Sequence, residues 1–153
     1  MRVIDFLQPA LIKAELQAST KAGVLGELAE LLARQQPVVD AAVLRKVLEE
    51  REQLASTAIG DGIAIPHGKL DVVGHLVGAL GRSRAGIEFD SIDGKPTHLV
   101  FMLVAPSSST GVHLKALARL SRLFRDADFR QRLLTADDSA GMYRIISDED
   151  AKC

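Results

Sequence analysis

Residues Ser56–Leu70 carry the sequence STAIGDGIAIPHGKL, which opens the most glycine-rich part of the chain. Eight glycines lie between Gly60 and Gly94, and they separate the short apolar runs GIAI, HLVGALG and GIEF. This pattern predicts short strands joined by tight turns. The run HLVFMLVAP that follows is almost continuously apolar, which predicts a strand covered on both faces.

Helical patterns lie on both sides of these strands. Before them, STKAGVLGELAELLARQQP predicts a helix that Ser19 or Thr20 caps and Pro37 ends, and VVDAAVLRKVLEEREQ predicts a second helix with Asp40 as its N-cap. After them, GVHLKALARLSRLF, DADFRQRLL and DDSAGMYRII predict three more helices. We find no internal repeat and no linker. We therefore predict an α/β fold in which residues 1–153 form a single domain, a mixed β-sheet flanked by helices.

Composition excludes several classes of protein. The 153 residues suffice for one core, and a net charge of −1 offers no basic surface for nucleic acid. No apolar run approaches the roughly 20 residues of a membrane span, and the start MRVIDFLQPAL has an acid and a proline too early for a signal peptide. Cys153 is the only cysteine, so an intrachain disulfide is excluded. We expect a cytoplasmic protein without a nucleic-acid partner and without direct membrane insertion.

Common catalytic motifs fail on their spacing. Five residues separate Gly62 from Gly68 and a leucine follows Lys69, which excludes the nucleotide P-loop. Ile65 occupies the third glycine position of the dinucleotide fingerprint. The four histidines are widely spaced and none lies in H-E-x-x-H, and G-x-S-x-G is absent. The sequence therefore predicts neither a cofactor nor a metal, and histidine chemistry remains.

His67 ends the apolar run and lies between Pro66 and Gly68. Pro66 has a fixed φ and no N–H, and it holds the preceding residue extended. Gly68 would let the backbone turn sharply and approach a ligand closely. One interpretation is a surface histidine in a turn, and the other is a rigidly mounted imidazole that acts near neutral pH.

His113 is the first member of an apolar stripe at helical spacing, so it points toward the sheet from the first turn of its helix. The stripe consists of His113, Ala116, Leu117, Leu120, Leu123, Phe124 and Ala127. The first turn of a helix offers unpaired N–H groups and a positive dipole end, which suit an anion. The alternative is a core histidine that bonds to a backbone carbonyl.

Arg51 follows Leu44, Val47 and Leu48 on the apolar stripe of its helix, so the pattern aims a permanent positive charge at the core. That charge needs an anion, either a protein carboxylate, for which Asp61 and Glu52 are candidates, or a bound phosphate. With His67 and His113 it would form a phosphoryl-transfer site. Burial and positive charge would lower the pKa of His67 and keep the ring nucleophilic, and the same charges would then neutralise the phosphoryl group.

The segment REQLASTAIGDGIAIPHGKL resembles the active-site segment of the enzyme IIA family of the bacterial phosphotransferase system, fructose/mannitol type. The runs FDSIDGKPTHLVFMLVAP and HLKALARLSRLF are similar to the second half of that family. The resemblance extends from about Phe6 to Ile146. It implies the enzyme IIA fold of this type, as one type-2 domain over residues 1–153.

This resemblance also implies residue roles. His67 corresponds to the histidine that accepts phosphate from a phosphorylated histidine-phosphocarrier protein and forms a phosphohistidine through Nε2. His113 and Arg51 correspond to the second active-site histidine and the active-site arginine. Asp61 corresponds to an acidic position that is asparagine in some relatives.

The PHGKL sequence is similar to the nitrogen-regulatory branch of the family. Members of that branch bind other proteins according to their phosphorylation state, and potassium transport proteins and sensor kinases are among the family's targets. Two alternatives stay open. The first is a sugar-specific enzyme IIA that passes phosphate to the IIB domain of a fructose/mannitol-type permease, and the second is a non-catalytic binding module of the same fold.

Overall fold

The computed structural model describes residues 1–152, which form a six-stranded mixed sheet flanked by five α-helices. The strands are β1 (Ile12–Lys13), β2 (Ala58–Gly60), β3 (Ile63–Ala64), β4 (His67–Lys69), β5 (Val77–Ile87) and β6 (Thr97–Ala105). The helices are α1 (Lys21–Gln35), α2 (Ala41–Leu54), α3 (Thr110–Leu123), α4 (Ala127–Thr135) and α5 (Ser139–Asp150). This architecture confirms the predicted fold class. Cys153 lies outside the described residues.

Strand β6 lies at the centre of the sheet, and every one of its residues except His98 is buried. It pairs antiparallel with β5 on one side and parallel with β3 and β4 on the other. The full order is β1-β5-β6-β3-β2, with β4 also on β6. The apolar run HLVFMLVAP therefore predicted the central strand correctly. Its carboxyl end at Ala105 leads directly toward α3, so the first turn of that helix lies at this edge of the sheet.

Strands β3 and β4 follow the same side of β6 as one interrupted strand. Ile63 lies opposite Leu99 and His67 lies opposite Leu103, so the register is the same on both sides of the interruption. Pro66 lies in the gap because it has no N–H to donate, yet its carbonyl still accepts from the Leu103 N–H at 2.9 Å. Of the two interpretations of His67, the surface histidine in a turn is wrong, since His67 begins a hydrogen-bonded strand.

Gly68 allows close packing against α2 and not the sharp turn that its sequence context indicated. Its φ is not positive, so no sharp turn occurs there. Instead, a Cβ at this position would lie 2.6 Å from Cγ1 of Val47 on α2. The absence of a side chain lets α2 approach β4 closely, and that approach brings the end of α2 beside His67.

The runs HLVGALG and GIEF belong mostly to one strand, β5, and not to two separate strands as the pattern indicated. Its ladder with β6 shifts register between Arg82 and Ile87, and Gly86 in this irregular stretch has a φ of +89°. The polar residues of this bulge interrupt the apolar pattern, which explains the error. The short strand β1, which pairs parallel with Leu80 and Gly81 of β5, was not predicted.

All five predicted helices are present, and side-chain caps fix four of their starts. Thr20 accepts from the Gly23 N–H to cap α1, and Asp40 caps α2 as predicted. Asp126 and Asp138 cap α4 and α5. Among residues 1–152, no helix is both long and apolar enough to cross a membrane.

We expect Gly68→Ala to lower the free energy of unfolding by about 1–3 kcal/mol, because the new methyl group would overlap Val47. Urea unfolding followed by circular dichroism measures the change. Gly74→Ala is the matched control, since a Cβ at Gly74 meets no atom within 4 Å. Equal stability of the two variants would contradict the close approach of α2.

Candidate active site

An open cavity of about 670 Å³ lies where α2, β4 and the first turn of α3 meet. It confirms that His67, His113 and Arg51 converge, although they come from three different elements. The lining residues are Val47, Glu50, Arg51, Leu54, His67, Gly68, Lys69 and His113.

The backbone fixes the His67 ring through one of its nitrogens. Nδ1 lies 2.8 Å from the carbonyl oxygen of Ile65. A carbonyl oxygen can only accept, so Nδ1 carries the proton, and the lone pair of the neutral ring is then on Nε2. The carbonyl is free because Ile65 faces away from β6: its N–H donates to the Thr57 carbonyl, whereas the Thr57 N–H bonds to the Glu52 carboxylate and not to Ile65. His67 is therefore a half-buried histidine with a defined nucleophilic nitrogen.

Burial lowers the pKa of His67 below its ordinary value, and the positive charge of Arg51 lowers it further. The Ile65 carbonyl and the carboxylate of Glu52 act in the opposite direction, because both stabilise the protonated ring. The net effect keeps His67 neutral at pH 7, as a nucleophile requires. The predicted direction of this shift is confirmed.

His113 is the buried member of the site and is 4% exposed. Its ring lies edge-on to that of His67, with centroids 5.3 Å apart and an interplanar angle of 90°. Its Nε2 is buried and makes no hydrogen bond within residues 1–152. Burial, followed by the charges of His67 and Lys69, lowers the pKa of His113 to about 4. The core-histidine interpretation required a hydrogen bond between the ring and a backbone carbonyl, and no such bond occurs among residues 1–152.

Helix α3 places His113 as the helical stripe predicted. Ala116, Leu120 and Leu123 on the same face are buried, and Phe124 is buried just beyond the helix. Ala127 is the exception, because the chain turns after Phe124 and Ala127 begins the separate helix α4, where it is exposed.

Arg51 lies in the cavity with His67, as predicted, but at a smaller depth and without a carboxylate partner among the described residues. It is half-buried at the rim of the cavity and not in the core. Its Nη1 donates to the Ala55 carbonyl at 2.9 Å, and among residues 1–152 it forms no salt bridge. The expected partner Glu52 binds Lys21 at 2.9 Å and the backbone of Thr57 instead. The positive charge of Arg51 therefore remains available to an anion in the cavity.

Asp61 does not line this cavity. It is exposed in a turn with a φ of +56°, and its carboxylate lies 4.0 Å from Arg130. It borders a different cavity, next to Gly60 and Arg125. The turn between β2 and β3 directs Asp61 away from His67, so it is neither the partner of Arg51 nor a neighbour of the two histidines.

Lys69 lines the cavity and was not identified from the sequence as part of the site. Its Nζ donates to the Thr110 hydroxyl at 2.9 Å, which places its charge at the start of α3. Alternate residues of a strand share a face, so Lys69 lies on the same side of β4 as His67. A strand prediction beginning at His67 would have revealed this residue.

Residues 5–149 match the family model described as "Phosphoenolpyruvate-dependent sugar phosphotransferase system, EIIA 2". The chain belongs to this enzyme IIA family. Its members are phosphotransfer proteins of the phosphotransferase system, and the convergence of two histidines and a free cation suits that chemistry.

Among curated relatives, a nitrogen regulatory protein of Bradyrhizobium diazoefficiens is 40% identical over 147 residues, covering 96% of this chain and 95% of the relative. The IIA-Ntr crystal structure from Neisseria meningitidis superposes with a TM-score of 0.86 at 33% identity, covering 93% of this chain and 97% of that one. A fructose-specific EIIABC component of Bacillus subtilis is 35% identical over 98% of this chain, but the match spans only 24% of that longer protein. These similarities place the chain in the nitrogen-regulatory branch of the enzyme IIA family.

We expect the depressed pKa of His113 to make stability pH-dependent. In the unfolded chain a histidine binds a proton near pH 6.5, whereas folded His113 binds one only near pH 4. Between these values the unfolded state holds more protons, so acidification from pH 6.5 to 4 removes up to about 3 kcal/mol of stability.

Urea unfolding at pH 7 and pH 4.5 measures this loss, and NMR titration of the imidazole C–H signals measures the pKa directly. His113→Gln should lose less stability on acidification than the wild type, whereas His75→Gln, at an exposed histidine, should behave like the wild type. A His113 signal that titrates above pH 6 would show that burial does not lower the pKa of His113.

Proposed function

We propose that this protein is a nitrogen-regulatory phosphocarrier that accepts a phosphoryl group on Nε2 of His67 from a phosphorylated histidine-phosphocarrier protein. The observation that carries the proposal is the hydrogen bond from Nδ1 of His67 to the Ile65 carbonyl, because it leaves the lone pair on Nε2. The whole chain, residues 1–153, acts as one enzyme IIA type-2 domain in the cytoplasm.

The transfer is a direct exchange between two imidazole rings. The phosphorus–nitrogen bond to the donor's histidine breaks as a bond from Nε2 of His67 to phosphorus forms, and the donor ring leaves with the bonding electron pair. His67 keeps its Nδ1 proton, so its ring gains positive character, which the Ile65 carbonyl stabilises. The donor ring carries a proton on its other nitrogen and therefore leaves as a neutral imidazole, so the reaction needs no net proton transfer.

Three groups are suited to stabilise the phosphoryl oxygens. His113 has a buried Nε2 without a partner, which can donate as an N–H to an oxyanion. Arg51 contributes a positive charge that no carboxylate in the described residues pairs with. Lys69 adds a second cation at the start of α3. Phosphoryl transfer depends mostly on positioning and electrostatics of this kind.

Regulation is favoured over sugar transport by the 40% identity to a nitrogen regulatory protein, which exceeds the 35% and 36% identity to two fructose-specific relatives. We propose that the phosphorylation state of His67 controls binding to regulatory targets, with potassium transport proteins and sensor kinases as the classes to test first.

The similarity to a fructose-specific relative supports a second candidate function, in which His67 passes phosphate to a IIB cysteine. Incubating the phosphorylated protein with a fructose-type IIB domain separates these functions, since only a sugar-specific enzyme IIA transfers its phosphate rapidly. A non-catalytic module would take up no phosphate at all.

We expect His67→Ala to abolish phosphate uptake and His113→Ala to slow it about a hundredfold, the usual loss when one donor leaves a preorganised site. Without His67 no nitrogen can form the bond, whereas without His113 the charges of Arg51 and Lys69 remain. Single-turnover transfer from the phosphorylated carrier measures both rates, with His75→Ala as the control and circular dichroism as the test of folding. Uptake by His67→Ala at the wild-type level would overturn the proposal.

We expect the phosphoryl group on Nε2 and not on Nδ1, because Nδ1 holds its proton against the Ile65 carbonyl. Nitrogen-15 NMR of the phosphorylated protein, labelled in its histidine rings, identifies the bonded nitrogen from its coupling to phosphorus. Phosphorylation at Nδ1 would show that the hydrogen bond to Ile65 breaks during the reaction and that the stated tautomer is wrong.

A further inference from the structure

A second cavity, distinct from the one beside Asp61, lies at the opposite end of the sheet from His67 and has a volume of about 320 Å³. It is bounded by residues 15–19, which precede α1, and by residues 82–86 of β5. Arg82 pairs with Leu99 at the start of β6, whereas His67 pairs with Leu103 from the other side of that strand. Four residues of β6, roughly 13 Å along the strand, therefore separate the two sites.

Arg82 lines this cavity and is fully buried, yet nothing neutralises its charge by direct contact. Its Nε donates to the Ala14 carbonyl at 3.0 Å, and its Nη1 donates to the carbonyls of Leu133 and Ala136 at 2.8 and 2.7 Å. Its Nη2 is buried without a hydrogen-bond partner, and no salt bridge to Arg82 occurs within residues 1–152. The Leu133 and Ala136 carbonyls are at the C-terminal end of α4, whose partial negative charge stabilises the guanidinium in part. A bound anion would offset the remaining cost of burying this cation.

Arg84 adds a second positive charge on the same face of β5, two residues along the strand. It is exposed, and its Nη2 lies 3.5 Å from the Ala136 carbonyl, at the outer limit of a hydrogen bond. Burial and the charge of Arg84 lower the pKa of Arg82, while Glu15 and Asp137 act in the opposite direction. Two arginines and one glutamate line the cavity, which leaves an excess of one positive charge.

The walls of the cavity are held by hydrogen bonds. The Leu16 N–H donates to the Arg82 carbonyl, and the Gln17 and Ala18 N–H groups donate to the carboxylate of Glu27. The Ser83 hydroxyl accepts from the Gly86 N–H and holds the bulge of β5. The walls are therefore fixed before a ligand binds, and the Arg84 guanidinium supplies the free donors.

We propose that this cavity binds a phosphate-sized oxyanion, either inorganic phosphate or the phosphoryl group of a small metabolite. Arg84 contacts the oxyanion directly, and the buried charge of Arg82 provides positive potential behind it. Glu15 opposes binding, because it brings the one negative charge among the lining residues. The site is independent of phosphorylation at His67.

Titration with inorganic phosphate at constant ionic strength, followed by ¹H–¹⁵N NMR, tests the proposal. We expect saturable shifts at the amides of residues 83–86, about tenfold weaker binding in Arg84→Gln, and binding a few-fold tighter in Glu15→Gln. Both substitutions are at exposed residues, which avoids the loss of folding that removal of Arg82 could cause. Arg34→Gln is the matched control, because it removes an exposed positive charge from α1, outside the cavity.

Shifts confined to the His67 cavity, or equal affinities in Arg84→Gln and Arg34→Gln, would overturn the proposal. Repeating the titration with glycerol phosphate identifies the source of the oxyanion. Tighter binding of the ester supports a metabolite, and tighter binding of the free ion supports inorganic phosphate.

Discussion

The parallel ladder between residues 63–69 and β6 is the constraint on which the site depends. The ladder keeps one register across the gap at Ile65 and Pro66, so it fixes the backbone of His67, while the Ile65 carbonyl faces away from β6. That carbonyl then sets the tautomer of the histidine two residues later. The Thr57 N–H is the group that could bond to this carbonyl across the β2 side, and it bonds to the Glu52 carboxylate instead. The carbonyl therefore remains available to the His67 ring.

Positive charge and burial act together in the cavity. Both histidines have lowered pKa values, so both rings are neutral at pH 7 while the cations Arg51 and Lys69 stand beside them. Such a site is short of negative charge before the reaction, and a phosphoryl group supplies it. The proposed oxyanion site around Arg82 and Arg84 follows the same principle in the same fold, but it contains no nucleophile. An excess of positive charge is therefore enough for a site to bind an anion. A reactive site also needs a free imidazole nitrogen.

The sequence predicted most where a regular period and a buried face agree. The stripe of α3 placed His113 correctly because a helical period of 3.6 residues determines which side chains face the sheet. For Arg51 the stripe of α2 indicated the correct side of the helix but not the depth, since the stripe leaves the core at the end of the helix and opens onto the cavity. The sharp turn expected at Gly68 was wrong, because strand β4 is too short to show a period and its register comes from β6, which lies far away in sequence.

The sequence also did not predict that Arg82 and Arg84 line a cavity. Arg82 and Arg84 lie in a run of polar residues that indicated a turn, and only the bulged pairing of β5 with β6 shows that Arg82 is buried. For Asp61 the error was to include it in the site. Asp61 is close to His67 in sequence but lies outside the His67 cavity.

The rigid backbone under His67 has a consequence for signalling. A residue held in a ladder and packed against α2 through Gly68 cannot shift far when its ring is modified. Under the proposed function, phosphorylation therefore changes the charge at the mouth of a fixed cavity and leaves the fold as it is. A partner protein would then distinguish the phosphorylated from the unphosphorylated form by the charge of one surface, as it would distinguish two point variants. No conformational change would be required.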